Sequence, residues 1–174
     1  MDATEIMLER LAAYNSRLRD ALSDLSDEDL LFRPGANDNP AGWLSWHMAR
    51  VEDRTVAQIT GALQAWVEGT WHARFGLPND PENTGIGHTL EEATSFRATK
   101  KDLLSYASAA RENTQACLSS LTDEALDEEI EDFFANAKIP VGLMIGRFFG
   151  DYISHVGQIC YLRGHIKGWG KYGR

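Results

Sequence analysis

Asp151 and His155 stand four apart in Gly150-Asp151-Tyr152-Ile153-Ser154-His155-Val156-Gly157-Gln158, inside the longest apolar helical run near the C-terminus. Residues four apart lie over one another on a helix face, so a carboxylate oxygen and an imidazole nitrogen can converge on one point. A carboxylate in an apolar helical stripe is costly without a counter-charge, a hydrogen bond or a cation. A third ligand has to come from elsewhere. His47 is the best choice, because residues 43–52 form the other strongly helical segment with a histidine among its core positions. Two histidines and a carboxylate suit zinc, nickel or iron(II), with positions left for water and substrate. The same residues also fit a plain buried Asp–His hydrogen bond, with His47 a core histidine and Arg50 or Arg147 neutralising the carboxylate. Spacing alone leaves both readings open.

Around that trio, Gln158 and Ser154 stand where they could hold imidazole tautomers. Trp43, Trp46, Phe148 and Tyr152 would line any pocket, although aromatic residues at helical spacing more often form core. Glu52 is the one candidate general base; a surface ion pair with Arg50 or Arg54 is the commoner role for such a residue. His72, His88 and His165 fall in the crossover, at a helix cap and in the tail, and read as polar surface.

The elements that must position these residues are helices. Asp2 and Glu5 form a capping box for a first helix with Met7, Leu11, Tyr14, Leu18, Ala21, Leu22 and Leu25 on one face. Leu25 and Leu30 flank a Ser26 cap, and a loop rich in Pro, Gly and Asn leads to Pro40, in the first turn of a second helix that carries His47 and runs to about Gly61. Residues 65–88 lose periodicity and collect glycines, prolines and asparagines, which marks a long crossover with a helical turn near Trp71 to Phe75. Its aromatic residues predict a packed lid. A third helix opens at the Thr89-Leu90-Glu91-Glu92 box and continues to Leu121, and a fourth runs from about Pro140 to Gly164. Leu121 to Leu126 repeats the pattern of Leu25 to Leu30, and Pro140-Val141-Gly142 repeats Pro40-Ala41-Gly42, so the two halves echo each other. No stretch alternates convincingly with period two. The expectation is an all-α four-helix bundle with a long crossover between the second and third helices, as one domain over residues 1–174.

Composition bounds the function. The chain has 174 residues, 43% hydrophobic and 25% charged, which is ordinary for a globular protein. A net charge of −9 argues against nucleic acid, whose phosphates must be neutralised by Lys and Arg. The basic cluster of Arg163, Lys167, Lys171 and Arg174 reads as a solvated tail. No apolar run approaches the roughly 20 residues needed to cross a bilayer, so no membrane role and a cytoplasmic location are expected. Cys117 and Cys160 read as buried free thiols.

At Gly42-Trp43-Leu44-Ser45-Trp46-His47-Met48-Ala49-Arg50-Val51-Glu52, at Arg74-Phe75-Gly76-Leu77-Pro78 with Gly85-Ile86-Gly87-His88-Thr89, and from Asp151 to Gln158, the chain resembles the DinB-like superfamily of metalloenzymes. That superfamily includes YfiT-type hydrolase-like proteins and mycothiol- and bacillithiol-dependent S-transferases, and the mycothiol-type branch is the nearest in kind. The resemblance spans nearly the full length. It implies a metal held by one histidine of the second helix and two histidines, four apart, on the last. His47 and His155 match; Asp151 stands where the family has histidine, which keeps a ligand but adds negative charge. Val156 replaces a frequent arginine, while Gly157 and Gln158 agree. The function implied is a divalent-metal-dependent thiol S-transferase, in which a low-molecular-weight thiol such as mycothiol or bacillithiol attacks a small electrophile as its thiolate. A metal-dependent hydrolase using the same ligands and a metal-free binding or stress-associated bundle are the alternatives. An apolar helix face left over would make a homodimer.

Overall fold

A computed structural model describes residues 3–135 and 137–168, so the Asp2 cap and the basic tail positions Lys171 and Arg174 lie outside the described residues. Helix α1 spans Ala3–Ser23 and buries Leu11, Leu18, Ala21 and Leu22. The chain then turns through a short 3₁₀ segment, Asp29–Leu31, closed reciprocally: Asp29 N donates to Ser26 Oγ at 3.1 Å and Ser26 N to Asp29 Oδ2 at 2.8 Å. Leu25 and Leu30 are both buried on either side of that turn, as the staple pattern requires.

Helix α2, Ala41–Thr60, starts from Pro40 as its N-cap, one residue before the first turn where the sequence reading put it. It ends where Gly61 takes a left-handed φ of 71°. The crossover holds two short helices, α3 (Ala65–Glu68) and α4 (Trp71–Phe75). The third long helix is not continuous. It breaks into α5 (Leu90–Ser95) and α6 (Lys100–Ser120), because Thr99 opens a second cap by accepting from Asp102 N. Between them Phe96 turns inward and packs on Trp46 and Phe75.

Helix α7 (Asp123–Asp127) is capped by Thr122. It leads into a minor hairpin, β1 (Glu129–Glu131) antiparallel to β2 (Lys138–Pro140), with Ile130 opposite Ile139. The sequence reading missed this hairpin because three-residue strands are too short to display a period of two. Helix α8 (Val141–Lys167) completes the bundle.

Among the long helices, α1 packs on α6 and α8, and α2 packs on the same two, so α1 and α2 occupy opposite corners. The echo between halves is structural as well. Gly42 lies against the Leu30 carbonyl, where a Cβ would come to 3.2 Å, and Gly142 lies the same way against Leu126, at 3.3 Å. Each half therefore uses a capped turn to seat the glycine of its second long helix, and the all-α four-helix architecture with a long crossover is what the chain adopts. Among the described residues no helix is long and apolar enough to cross a membrane.

Candidate metal centre

Helices α2 and α8 are neighbours, and their contact brings His47, Asp151 and His155 together, each offering one ligand atom within 4.8 Å of the others. His47 is buried, Asp151 and His155 half-buried. His155 Nε2 lies 3.2 Å and His47 Nε2 3.7 Å from the same oxygen, Asp151 Oδ1. The two imidazoles meet edge to face, centroids 5.1 Å apart.

Each ring is oriented by its other nitrogen. His155 Nδ1 lies 2.7 Å from Gln158 Oε1 and His47 Nδ1 lies 2.5 Å from the Thr84 carbonyl. In the neutral ring an acceptor on Nδ1 takes the proton there and leaves the Nε2 lone pair toward Asp151. Gln158 thus sits where a tautomer-holding partner should, whereas the Ser154 hydroxyl turns back to the Gly150 carbonyl at 2.7 Å. Thr84 gave no signal in the sequence, because its contribution is a backbone carbonyl. The nearest clue was Gly85. At φ 90° it lets the crossover lie on the rings, where a Cβ would meet Trp43 at 2.8 Å, Trp46 at 2.9 Å and His47 Nδ1 at 3.3 Å.

Burial pushes the Asp151 carboxyl up, but the two imidazoles beside it, His155 and His47, outweigh it and hold the group well below the usual carboxylate range. Burial pulls His155 down, and Asp151 and Gln158 outweigh it and raise the imidazole. The arginine neutralisation of Asp151 that belonged to the plain hydrogen-bond reading does not occur. Arg50 turns toward the crossover, donating to the Asn83 and Pro81 carbonyls, and Arg147 pairs with Asp132 at 2.5 Å. One carboxylate oxygen, Asp151 Oδ2, is buried with no hydrogen-bond partner. An orphaned anionic oxygen beside two imidazole nitrogens is the donor set a divalent cation takes, so the residues fit the ion.

Of the other predicted residues, Trp43 packs on this cluster and Glu52 is engaged elsewhere. Glu52 is fully buried rather than surface-paired: Arg111 Nη2 donates to its Oε2 at 2.8 Å, Arg111 Nε lies 2.6 Å from Oε1, and the Thr114 hydroxyl donates to Oε1 at 2.7 Å. Arg54 pairs instead with Glu82. Burial raises the Glu52 carboxyl against the pull of Arg111 and Thr114. Phe148 and Tyr152 are core residues, and Tyr152 lies under the Arg111 guanidinium, 4.7 Å from its ring centroid, where burial pushes the phenol up to about 12. Trp46 is fully buried among Trp43, Trp66, His88 and Phe96, while Trp43 stacks flat on His47 with centroids 4.9 Å apart. His88 accepts from Trp43 Nε1 at 3.2 Å and donates from Nε2 to Asn83 Oδ1 at 3.0 Å, which makes it part of the crossover's anchorage. His72 stands beside Trp66, and His165 beside Tyr161 and Phe32. Cys117 is a buried free thiol as expected, but Cys160 is only half-buried.

None of the curated proteins compared with the chain matches it. A crystal structure of a conserved protein from Enterococcus faecalis is similar in fold, with a TM-score of 0.86 at 24% identity, covering 97% of this chain and 99% of that one. The family model described as the DinB superfamily matches residues 10–159, a span that takes in α2, the crossover and the part of α8 that carries Asp151 and His155. With the bundle and the His/Asp cluster between its second and last long helices, the chain belongs to the DinB superfamily.

Proposed function

We propose that the chain is a divalent-metal-dependent enzyme of thiol S-transferase type, joining a low-molecular-weight thiol to a small electrophile. The observation that carries the metal is Asp151 Oδ2, a buried carboxylate oxygen without a partner beside two imidazoles whose Nε2 atoms face the same carboxylate. When bound, a divalent ion supplies Lewis acidity that lets a thiol lose its proton near neutral pH. His47, Asp151 and His155 would hold the ion. Gln158 and the Thr84 carbonyl keep the two imidazoles in the ligating tautomer, and Trp43, stacked on His47, keeps water from one face of that ring.

The choice of thiol transfer over hydrolysis rests on the sequence's resemblance to the mycothiol- and bacillithiol-dependent S-transferases. Glu52, the base the sequence offered, is locked to Arg111 and Thr114 in the core, so in either reaction the ion itself would have to activate the nucleophile. Elemental analysis of untagged protein purified without chelator should give near-stoichiometric zinc, nickel or iron that disappears in His155→Ala, and the loaded protein should consume mycothiol or bacillithiol only in the presence of an alkylating electrophile. Metal-free protein even after reconstitution would make the trio a structural hydrogen-bond cluster. Ester or amide cleavage without added thiol would make the reaction hydrolytic.

A further inference from the structure

His47 Nδ1 is held by a residue outside both ligand-bearing helices, the Thr84 carbonyl of the crossover. Thr84 belongs to no helix or strand, yet it is 2% exposed. What anchors it is Arg50, three residues after His47 on α2. Arg50 is fully buried, and two of its donors go to the strand of chain just before Thr84: Nε to the Asn83 carbonyl at 2.9 Å and Nη2 to the Pro81 carbonyl at 2.8 Å. Its third nitrogen is itself fixed, donating to Gln64 Oε1 at 2.9 Å and Tyr106 Oη at 3.0 Å, and Asp53 supplies the counter-charge at 3.4 Å. Gln64 adds a bond of its own to the Pro81 carbonyl at 3.1 Å, and the guanidinium lies 4.5 Å over the Trp66 ring. Beyond Thr84, the Asn83 side chain accepts from Gly85 N at 3.1 Å, closing the turn that lays Gly85 on Trp43 and Trp46.

We infer that Arg50 is a positioning residue for the His47–Asp151–His155 centre: it clamps residues 81–83 so that the Thr84 carbonyl holds the proton on His47 Nδ1 and keeps Nε2 available to the centre. Arg50 makes no hydrogen bond or ion pair to any of the three residues of that centre; it acts through the backbone of the crossover. Only a planar fork with several donors can hold the Pro81 and Asn83 carbonyls and the side chains of Gln64 and Tyr106 at once, so lysine is no substitute. The inference rests on the metal reading for one of its two readouts and is independent of it for the other.

The independent readout is the His47 tautomer in metal-free protein at pH 8, from long-range ¹H–¹⁵N correlations. The wild-type ring should carry its proton on Nδ1. In Arg50→Lys, Arg50→Gln and Gly85→Ala the ring should shift to a mixture of tautomers, while His155, held by Gln158 within α8, stays unchanged as an internal control. Zinc affinity, measured by competition, should fall about 10- to 100-fold in the same variants, the usual effect of removing an outer partner of a ligand histidine. Asn83→Ala, which removes only side-chain bonds from a half-buried position, should move both readouts the same way and keeps the test open if the core variants do not fold. An unchanged His47 tautomer in folded variants would overturn the inference even if the wild type binds zinc. A shifted tautomer in a protein that binds no metal would uphold it and overturn the metal reading alone.

Discussion

A carboxylate held below its ordinary range and an imidazole held above it stabilise the metal-free fold only while both carry charge. For Asp151 that contribution is present above an unfolded value of about 3.9 and is lost as pH falls through its folded value; for His155 it is complete below an unfolded value of about 6.5 and is lost as pH rises through its folded value. The stability difference between the wild type and a His155→Gln variant, followed by thermal melts in chelator, should therefore be largest between about pH 4 and 6.5 and shrink above that window. A difference independent of pH would mean that the trio is not an ion pair when empty of metal. At the same scale, Asp151 turns one carboxylate oxygen, Oδ1, to the point where the His47 and His155 Nε2 atoms meet, while Oδ2 stays buried and unpartnered.

At the scale of elements, α8 carries glycines of two kinds. Gly146 and Gly157 face open space, with nothing within 4 Å of an added Cβ, whereas Gly142 and its counterpart Gly42 in α2 are pressed against backbone carbonyls. An exposed glycine inside a helix costs about 0.5–1 kcal/mol relative to alanine. Gly146→Ala and Gly157→Ala should each raise stability by about that amount in urea denaturation. Gly42→Ala and Gly142→Ala should instead lower it, because the neighbours are the main chain of Leu30 and Leu126 and the cost of overpacking, about 1–3 kcal/mol, exceeds the helical gain. The two should behave alike, since the two halves solve the same packing problem. One losing and the other gaining stability would show that the equivalence of the capped turns is only superficial.

For the molecule as a whole, Arg111 is the residue through which all four long helices communicate. It stands on α6, pairs with Glu52 of α2, donates to the Leu11 carbonyl of α1 at 3.3 Å and covers the Tyr152 ring of α8. Removing one partner of a buried pair leaves an uncompensated charge and costs about 3–5 kcal/mol, whereas replacing both by apolar residues of similar volume is often neutral or stabilising. Arg111→Met alone should destabilise by that amount, and Glu52→Leu with Arg111→Met should recover most of it, since the Thr114 hydroxyl can still donate to the Ala110 carbonyl at 3.0 Å. Metal uptake by the double variant should match that of the wild type, as neither residue reaches the centre. Loss of metal in a stable double variant would return Glu52 to the site.

The sequence alone determined what is local. Helical stripes, the capped turns, the repeated Pro-x-Gly entries and the i, i+4 pairing of Asp151 with His155 all depend on residues within a few positions of one another, and each is written in side-chain type and spacing. Even the break before α6 was present, as Thr99 three residues before Asp102, but the helically spaced run of apolar and amphipathic residues from Ala93 to Leu121 masked it. What only the tertiary structure decided are the partners drawn from distant segments. Glu52 and Arg50 look like surface charges on α2 until α6 and the crossover close over them, one taken by Arg111 and the other by the Pro81 and Asn83 carbonyls. Thr84 could not be read at all, because a backbone carbonyl has no sequence signature and gains a role only where the fold sets it 2.5 Å from His47.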